Sequence, residues 1–409
     1  MSFDFQTEFV KEGTVKVLVP KLETFVKEPW EYAPSKAPVF YNPLMEFNRD
    51  LAVLTVQTYQ RMVKRKISPC EPLTGCGVRG VRLAKEVEGV DKVVINDISP
   101  EAAKLAQFNV KSNKLTKRVK VVNEDANLLL SKYAAPRKRF DYVDIDPFGS
   151  PAPYLDSAVR ALRNGGLLAL TATDMAPLCG VHPQACMRKY GGKPLRTEYC
   201  HELALRLLIG CTAMVAAKHD VGIRVVFSYN NYNHVRAYVI LSHGAKEADK
   251  NIRAMGYVLH CFECFQRETA KGIVPLLKRD CPECGSRLHV AGPLWLGELW
   301  DEQFCVQMRK ELKDKTLRLG EKISKMLYLV IGESKAPATY YVIDKICDKF
   351  NLPIPSLSEI IGELRKLGFQ AVVTHFTAKA VRTNAPAKVV KEVVTRLSGS
   401  KTNDLSETN

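Results

Sequence analysis

Ile67-Ser-Pro-Cys-Glu-Pro-Leu-Thr-Gly-Cys-Gly-Val-Arg-Gly80, with Lys92-Val-Val-Ile-Asn-Asp97 a short helix later, is the stretch that decides the fold. An apolar strand ends at Glu71-Pro-Leu-Thr74, a glycine turn follows, and Val78 to Val87 has helical spacing. The same alternation continues. Lys92 to Asn96 reads as a strand, Ser99 to Lys111 as a helix, and Val119 to Asn123 as a third strand. Phe140-Asp-Tyr-Val-Asp-Ile-Asp146 is a fourth and Gly166 to Thr173 a fifth. Strands alternating with helices imply an α/β fold with a doubly wound parallel sheet. Ile223 to Ser228 and His234 to Ser242 then read as an antiparallel pair closing it. Upstream, Phe5 to Val26 alternates around Gly13 like a hairpin, a loop ends at Val39-Phe-Tyr-Asn-Pro43, and a helix spans about Pro43 to Lys66.

The first domain is expected to cover residues 1–245 and the second 246–395. Within the second, 258–290 is a cysteine-rich module, a helix runs around Glu298 to Lys313, and 336–386 reads helix, helix, hairpin, like a winged helix. Residues 396–409, rich in Ser, Thr and Asn, are expected to be a disordered tail. The chain has 409 residues, 46% of them hydrophobic and 25% charged, which excludes wholesale disorder. No apolar run reaches the ~18 residues of a membrane span, the best being Leu203 to Ala217 with Arg206 inside it. The N-terminus lacks the basic-then-apolar plan of a secretory signal. A cytoplasmic monomer is expected. Sixty Lys and Arg against 44 Asp and Glu give a net charge of +16, the footprint of a polyanion-binding protein. Arg188, Lys189, Lys193, Arg196, Arg279, Arg287, Arg309, Lys310, Arg365 and Lys366 are candidates for a surface tracking phosphates.

Gly75-Cys-Gly77-Val-Arg-Gly80 opens a helix, and Asp97 ends the next strand where a carboxylate takes ribose hydroxyls. This points to a nucleoside cofactor. The third strand ends in Asn-Glu-Asp125-Ala126, a second acid aimed at the same cleft. Two acids suit a cationic ligand, and S-adenosylmethionine carries a sulfonium and an ammonium. The competing role for Asp125 is an N-cap on the helix that follows. The fourth strand delivers Asp144-Ile-Asp146-Pro-Phe148-Gly-Ser-Pro151. An exocyclic amine on a base is a poor nucleophile because its lone pair is delocalised into the ring. A carboxylate accepting one N–H bond orients that pair toward a methyl donor, and an adjacent aromatic stacks on the base. As a mere turn, the same string would carry no chemistry.

Cys261-Phe-Glu-Cys264 and Cys281-Pro-Glu-Cys284 are two C-x-x-C knuckles sixteen residues apart, a four-thiolate set with zinc-ribbon spacing. Sulfur at every position leaves none open for chemistry, so the expected Zn2+ is structural, with an iron–sulfur cluster as the rival. His260 and His289 flank the knuckles as bystanders or phosphate contacts. The remaining eight of the twelve cysteines are scattered, which suits a reducing compartment rather than a disulfide framework.

Val39-Phe40-Tyr-Asn-Pro43, Asn48-Arg49-Asp50, Leu73 to Gly80, Asn96-Asp-Ile-Ser-Pro100 and Asp144 to Pro151 together resemble the tRNA guanine-26 N2-dimethyltransferases, in the compact archaeal form. The resemblance implies a class I, Rossmann-like methyltransferase domain followed by a tRNA-binding α+β domain. It also implies that Arg49, Gly75, Gly77, Arg79, Asp97, Asp125 and Ala126 bind S-adenosylmethionine. Asp146 and Phe148 would lie at the acceptor amine, with Phe40 reaching over the target base. Two alternatives stay open: a base-amine DNA methyltransferase, which usually carries Asp-Pro-Pro-Tyr where this chain has Asp146-Pro-Phe148, and a non-catalytic nucleic-acid-binding protein built from the zinc and winged-helix units.

Overall fold

The computed structural model describes residues 3–26, 28, 33–231 and 233–404. A hairpin of β1 (Thr7–Glu12) and β2 (Val15–Pro20) turns at Gly13, and α1 (Glu46–Val63) follows a single turn of tight helix at Pro43–Met45. Then come β3 (Pro69–Glu71), α2 (Val78–Glu86), β4 (Val93–Asp97), α3 (Pro100–Ser112), β5 (Val119–Asn123), α4 (Ala126–Tyr133) and β6 (Phe140–Ile145). α5 (Leu155–Ala161) leads into β7 (Leu162–Ala172), and α6 (Met175–Leu178), α7 (Pro183–Tyr190) and α8 (Cys200–Ala217) precede β8 (Val221–Asn231) and β9 (His234–His243).

These strands form one seven-stranded sheet in the order β5-β4-β3-β6-β7-β9-β8. β3 through β7 are parallel, while β9 runs antiparallel to both β7 and β8, as the alternation implied. The chain starts at β3, winds outward to β5 and returns to β6, so the strand order reverses between β3 and β6. A crevice forms outside the carboxyl ends of the strands at such a reversal. The registers Asp97↔Asn123 and Cys70↔Val143 bring the ends of β3, β4, β5 and β6 to that one rim.

α8 exceeds the expectation for its segment. It runs 18 residues and is long and apolar enough to cross a membrane, yet most of it is buried inside the protein. Arg206, the charge that interrupts it, is neutralised by Glu202 one turn earlier, at 2.8 Å.

After α9 (Ala245–Arg253), β10 (Met255–His260), β11 (Arg267–Lys271) and β12 (His289–Trp295) form a small antiparallel sheet that carries the cysteine knuckles. α10 (Glu302–Glu311) and α11 (Gly320–Glu333) return to the main body, whose core takes in Trp295, Trp300, Phe304, Ile323 and Leu327. The last unit is β13 (Tyr341–Val342), α12 (Ile343–Phe350), α13 (Leu357–Lys366), β14 (Ala371–Val373), β15 (Ala380–Thr383) and α14 (Ala387–Asp404), with its own core around Ile346, Ile360, Leu364 and Val390. Ser356 and Glu359 close a capping box at the start of α13.

The expected tail is corrected here: residues 396–404 continue α14 rather than forming a disordered end, and 405–409 lie outside the described residues. Val390, Val393, Val394 and Leu397 recur at helical spacing and pack on the C-terminal core, and the Ser398 hydroxyl donates to Pro353 O at 2.7 Å. That buried stripe outweighs the polar residues beside it.

A buried ion network joins α8 to the C-terminal unit. Arg382 donates to Glu202 at 2.8 Å and to Glu333 at 2.9 Å, Arg206 donates to Glu202, and the Thr339 amide reaches Glu202 at 2.9 Å. Burial alone would raise the Glu202 carboxyl, but the two guanidiniums outweigh it and hold the group down to about 2. Glu202→Gln removes the carboxylate that pairs with Arg206 and one of the two that pair with Arg382, so the protein should lose about 3–5 kcal/mol of unfolding free energy in urea titrations. An unchanged midpoint would show that the network contributes nothing to stability.

Candidate functional site

The crevice is floored by the glycine turn. Gly75 and Gly77 have φ of +54° and +79°, and a Cβ on Gly75 would meet the Phe40 carbonyl oxygen at 2.8 Å. Three neighbours hold the turn. Glu71 accepts from the Thr74 hydroxyl at 2.6 Å and the Gly80 amide at 2.9 Å, and Asp97 Oδ2 accepts from the Gly75 amide at 2.8 Å. From α3, the Asn109 amide donates to the carbonyls of Cys76 and Leu18, both at 2.9 Å, locking the N-terminal hairpin against the turn. Burial pushes Glu71 up to about 7, even with the Arg79 guanidinium nearby.

Each residue singled out in the sequence has a definite place. Asp97 ends β4 half-exposed on the rim, with Oδ1 accepting from the Ser99 amide at 3.0 Å. Asp125 is exposed and caps α4, accepting from the Leu128 amide at 2.9 Å, with Ala126 buried behind it. Arg49 and Arg79 line the cleft with Phe40, Tyr41, Leu73, Gly75 and Asp146. Both arginines are buried and engaged. Arg49 donates to both oxygens of Glu12, at 2.6 and 2.7 Å. Arg79 lies 2.6 Å from Asp144, pairs directly with Asp146, and donates to the Asn48 side chain at 3.0 Å.

Asp146 follows β6 at the crevice with its carboxylate largely buried, 12% exposed. Burial would raise its pKa, but Arg79 and then Arg236 outweigh that and keep it below the usual carboxylate range. Asp144 behind it is held at about 2 by Arg236 and Arg79 against the same burial. Arg236, from β9, meets Asp144 at 2.6 Å and the Tyr238 hydroxyl at 2.8 Å. Phe148, beyond Pro147, is exposed and meets Phe40 edge-on with ring centroids 4.6 Å apart. Two backbone-directed bonds fix this loop: the Gly149 amide donates to the Thr173 hydroxyl at 2.7 Å, and the Thr173 amide donates to Gly149 O at 2.9 Å. The cleft therefore presents a carboxylate held below its usual range, the Phe40 ring and a backbone turn into which side chains cannot intrude, with Phe148 packed edge-on against Phe40.

Sequence reasoning missed Glu12, Asn48 and Arg236. Asn48 lay inside a quoted motif, and a lone arginine in an apolar strand was a legible hint for Arg236. Glu12 carried no signal, because only the folded hairpin brings it to Arg49 and Arg82.

The four knuckle cysteines converge with all ligand atoms within 4.8 Å of one another, Cys261–Cys284 and Cys264–Cys281 each at 3.5 Å. Four thiols and no competing oxygen in that set fit a tetrahedral zinc ion. His260 cannot contact phosphate, which corrects one of its expected roles. It is fully buried, packs edge-on against Phe262 at 4.5 Å, and burial holds it down to about 3. Arg188, Lys193, Arg196, Arg279, Arg287, Arg309 and Arg365 are exposed, whereas Tyr190 is buried with its hydroxyl 2.6 Å from Asp174.

The geometry matches what comparison with known proteins finds. The sequence profile described as N2,N2-dimethylguanosine tRNA methyltransferase matches residues 13–395. A tRNA (guanine(26)-N(2))-dimethyltransferase of Methanobrevibacter smithii is 41% identical over 397 residues, covering 97% of this chain and 99% of its own. A tRNA (guanine(26)-N(2)/guanine(27)-N(2))-dimethyltransferase of Aquifex aeolicus is 36% identical, covering 92% and 93%. Among solved structures, Trm1 from Pyrococcus horikoshii in complex with S-adenosyl-L-methionine superposes with a TM-score of 0.83 at 34% identity, covering 95% of this chain and 100% of that one. A profile match and relatives that run nearly end to end leave one assignment: the chain belongs to the N2,N2-dimethylguanosine tRNA methyltransferase family.

Proposed function

We propose that this protein transfers methyl groups from S-adenosylmethionine to the exocyclic N2 amine of guanine 26 in tRNA, giving N2-methyl- and then N2,N2-dimethylguanosine, as its relatives' names describe. The observation that carries the reading is the Asp146 carboxylate, kept ionised by Arg79 at the strand-order reversal in a cleft lined by Phe40, on which Phe148 packs edge-on. Asp97 and Asp125 on the rim, with the glycine turn, would hold the cofactor's ribose and adenine, and Arg49 and Arg79 shape the cleft from below. The cofactor supplies an electrophilic methyl group on a sulfonium.

The protein's own part is to bind and aim the amine. A guanine inside folded RNA must leave its stack, and the Phe40 and Phe148 rings offer the replacement surface. Asp146 accepts one N–H, which turns the nitrogen lone pair out of the ring. Arg79 and Arg236 keep Asp146 acidic, so it is a poor resting place for a proton. It orients the amine, and the proton released on N–C bond formation passes on to water. After one transfer the amine keeps a single N–H, enough for the same contact, which permits a second round.

Residues 1–245 would serve as the catalytic unit and 246–395 as the tRNA-holding unit. The knuckles are read as a zinc ribbon held by Cys261, Cys264, Cys281 and Cys284, and the β13-to-β15 unit as a winged helix. The exposed arginines and lysines on both units would track the tRNA phosphates.

Incubation with tRNA and S-adenosylmethionine, followed by nucleoside mass spectrometry, should yield N2,N2-dimethylguanosine, and product on DNA alone would overturn the reading. Asp146→Ala should lose at least about 10²-fold in kcat with cofactor and tRNA affinity retained, and Asp146→Asn should fall between. A well-folded Asp146→Ala protein with normal single-turnover rates would remove Asp146 from the mechanism. Affinity for tRNA should drop roughly 10³-fold or more between about 50 and 200 mM salt, and a flat response would mean that the positive charge is incidental. Cys264→Ser should lose zinc, lower the Tm and weaken tRNA binding, because the binding energy of a closed thiolate site is folding energy. A zinc-free variant of unchanged Tm would argue against a structural ion.

A further inference from the structure

A second convergence of metal-ligating side chains lies away from the knuckles, at Cys179, Cys200 and His201. Their ligand atoms all fall within 4.8 Å of one another, and each residue is half-buried. None of the three has a role in the methyl-transfer reading.

The backbone accounts for the convergence. Cys179 closes α6, its amide donating to Met175 O at 2.7 Å. Gly180 takes a φ of +89°, and a Cβ there would meet the Arg196 nitrogen at 2.8 Å, so residues 179–180 lie flat against the strand of chain that leads into α8. Cys200 is the first residue of α8 and His201 the second. A close backbone contact thus sets one thiol opposite a second thiol and an imidazole.

We propose that Cys179, Cys200 and His201 form a second metal site that takes a borderline-soft divalent cation of the zinc class, with one coordination position open to water. Two sulfurs and one nitrogen select such a cation over magnesium or calcium, which need oxygen ligands. The site joins α6 to α8. The other end of α6 follows Thr173, which holds Gly149 of the acceptor loop, so an ion here braces that loop from outside the cleft.

The test uses the full-length, reduced protein with zinc alone as probe. Iodoacetamide labelling read peptide by peptide should be at least about tenfold slower at Cys179 and Cys200 with zinc than after chelation, because a metal-bound thiolate is shielded from alkylation. Cobalt titration should show His201→Gln and Cys179→Ser each binding about one equivalent less than wild type, with thiolate-to-cobalt absorption reduced accordingly. The same loss should appear in a Cys264→Ser background, separating this site from the knuckles. His201→Gln keeps both thiols, so it remains informative if Cys179→Ser fails to fold. Equal labelling rates with and without zinc would overturn the proposal. So would unchanged cobalt binding in His201→Gln, or a Cys179–Cys200 disulfide as the sole zinc-independent protection.

Discussion

The site depends on one guanidinium. Arg79 lies buried between Asp144 and Asp146, and Asp144 is shared in turn with Arg236. Two cations and two anions balance inside a region that excludes water, where a lone carboxylate would take up a proton and become useless as an acceptor. The cluster spans the sheet: Arg79 rises from the helix after the glycine turn, the acids end the central strand, and Arg236 comes from the antiparallel β9. Reversing the last strands is what brings the second arginine to Asp144, directly behind Asp146. A carboxylate has room for about four hydrogen bonds, so pairing with Arg79 does not use up the accepting capacity of Asp146.

A second balanced cluster does for the molecule what the first does for the cleft. Glu202 and Arg206 on α8 face Arg382 and Glu333 from the C-terminal half. α8 packs against the sheet along its length and carries this network near its first turn, so the large sheet and the C-terminal unit share one helix as a common spine.

Much of this was legible in the residues. The parallel strands, the glycine turn and the antiparallel closing pair each carry local signals, namely period-two apolar runs, a turn that needs positive φ, and apolar strands without an intervening helix. The places of Asp97, Asp146 and the knuckle cysteines were readable because they sit at strand ends or at fixed spacing. The failures were non-local. The end of α14, from Arg396 on, looked like a polar tail because Leu397 and Ser398 gain their burial from α13 and the residues before it. A phosphate contact stayed open for His260 because nothing in Leu-His-Cys says that Tyr199 and Phe262 pack against it. The partnerships of Arg49 and Arg79 were invisible for the same reason, since their acids lie 37 and 67 residues away in the chain.

Glu12 sets an order in time. It is synthesised before either of its guanidinium partners, Arg49 and Arg82, which follow 37 and 70 residues later. A carboxylate cannot be buried alone, so the hairpin leaves the ribosome with nowhere to dock. Asn109, which clasps Leu18 and Cys76 together, emerges later still. The first strands must therefore wait until the chain has run past Asn109 before they can be placed, and the glycine turn, tied to Leu18 through Asn109, cannot settle sooner.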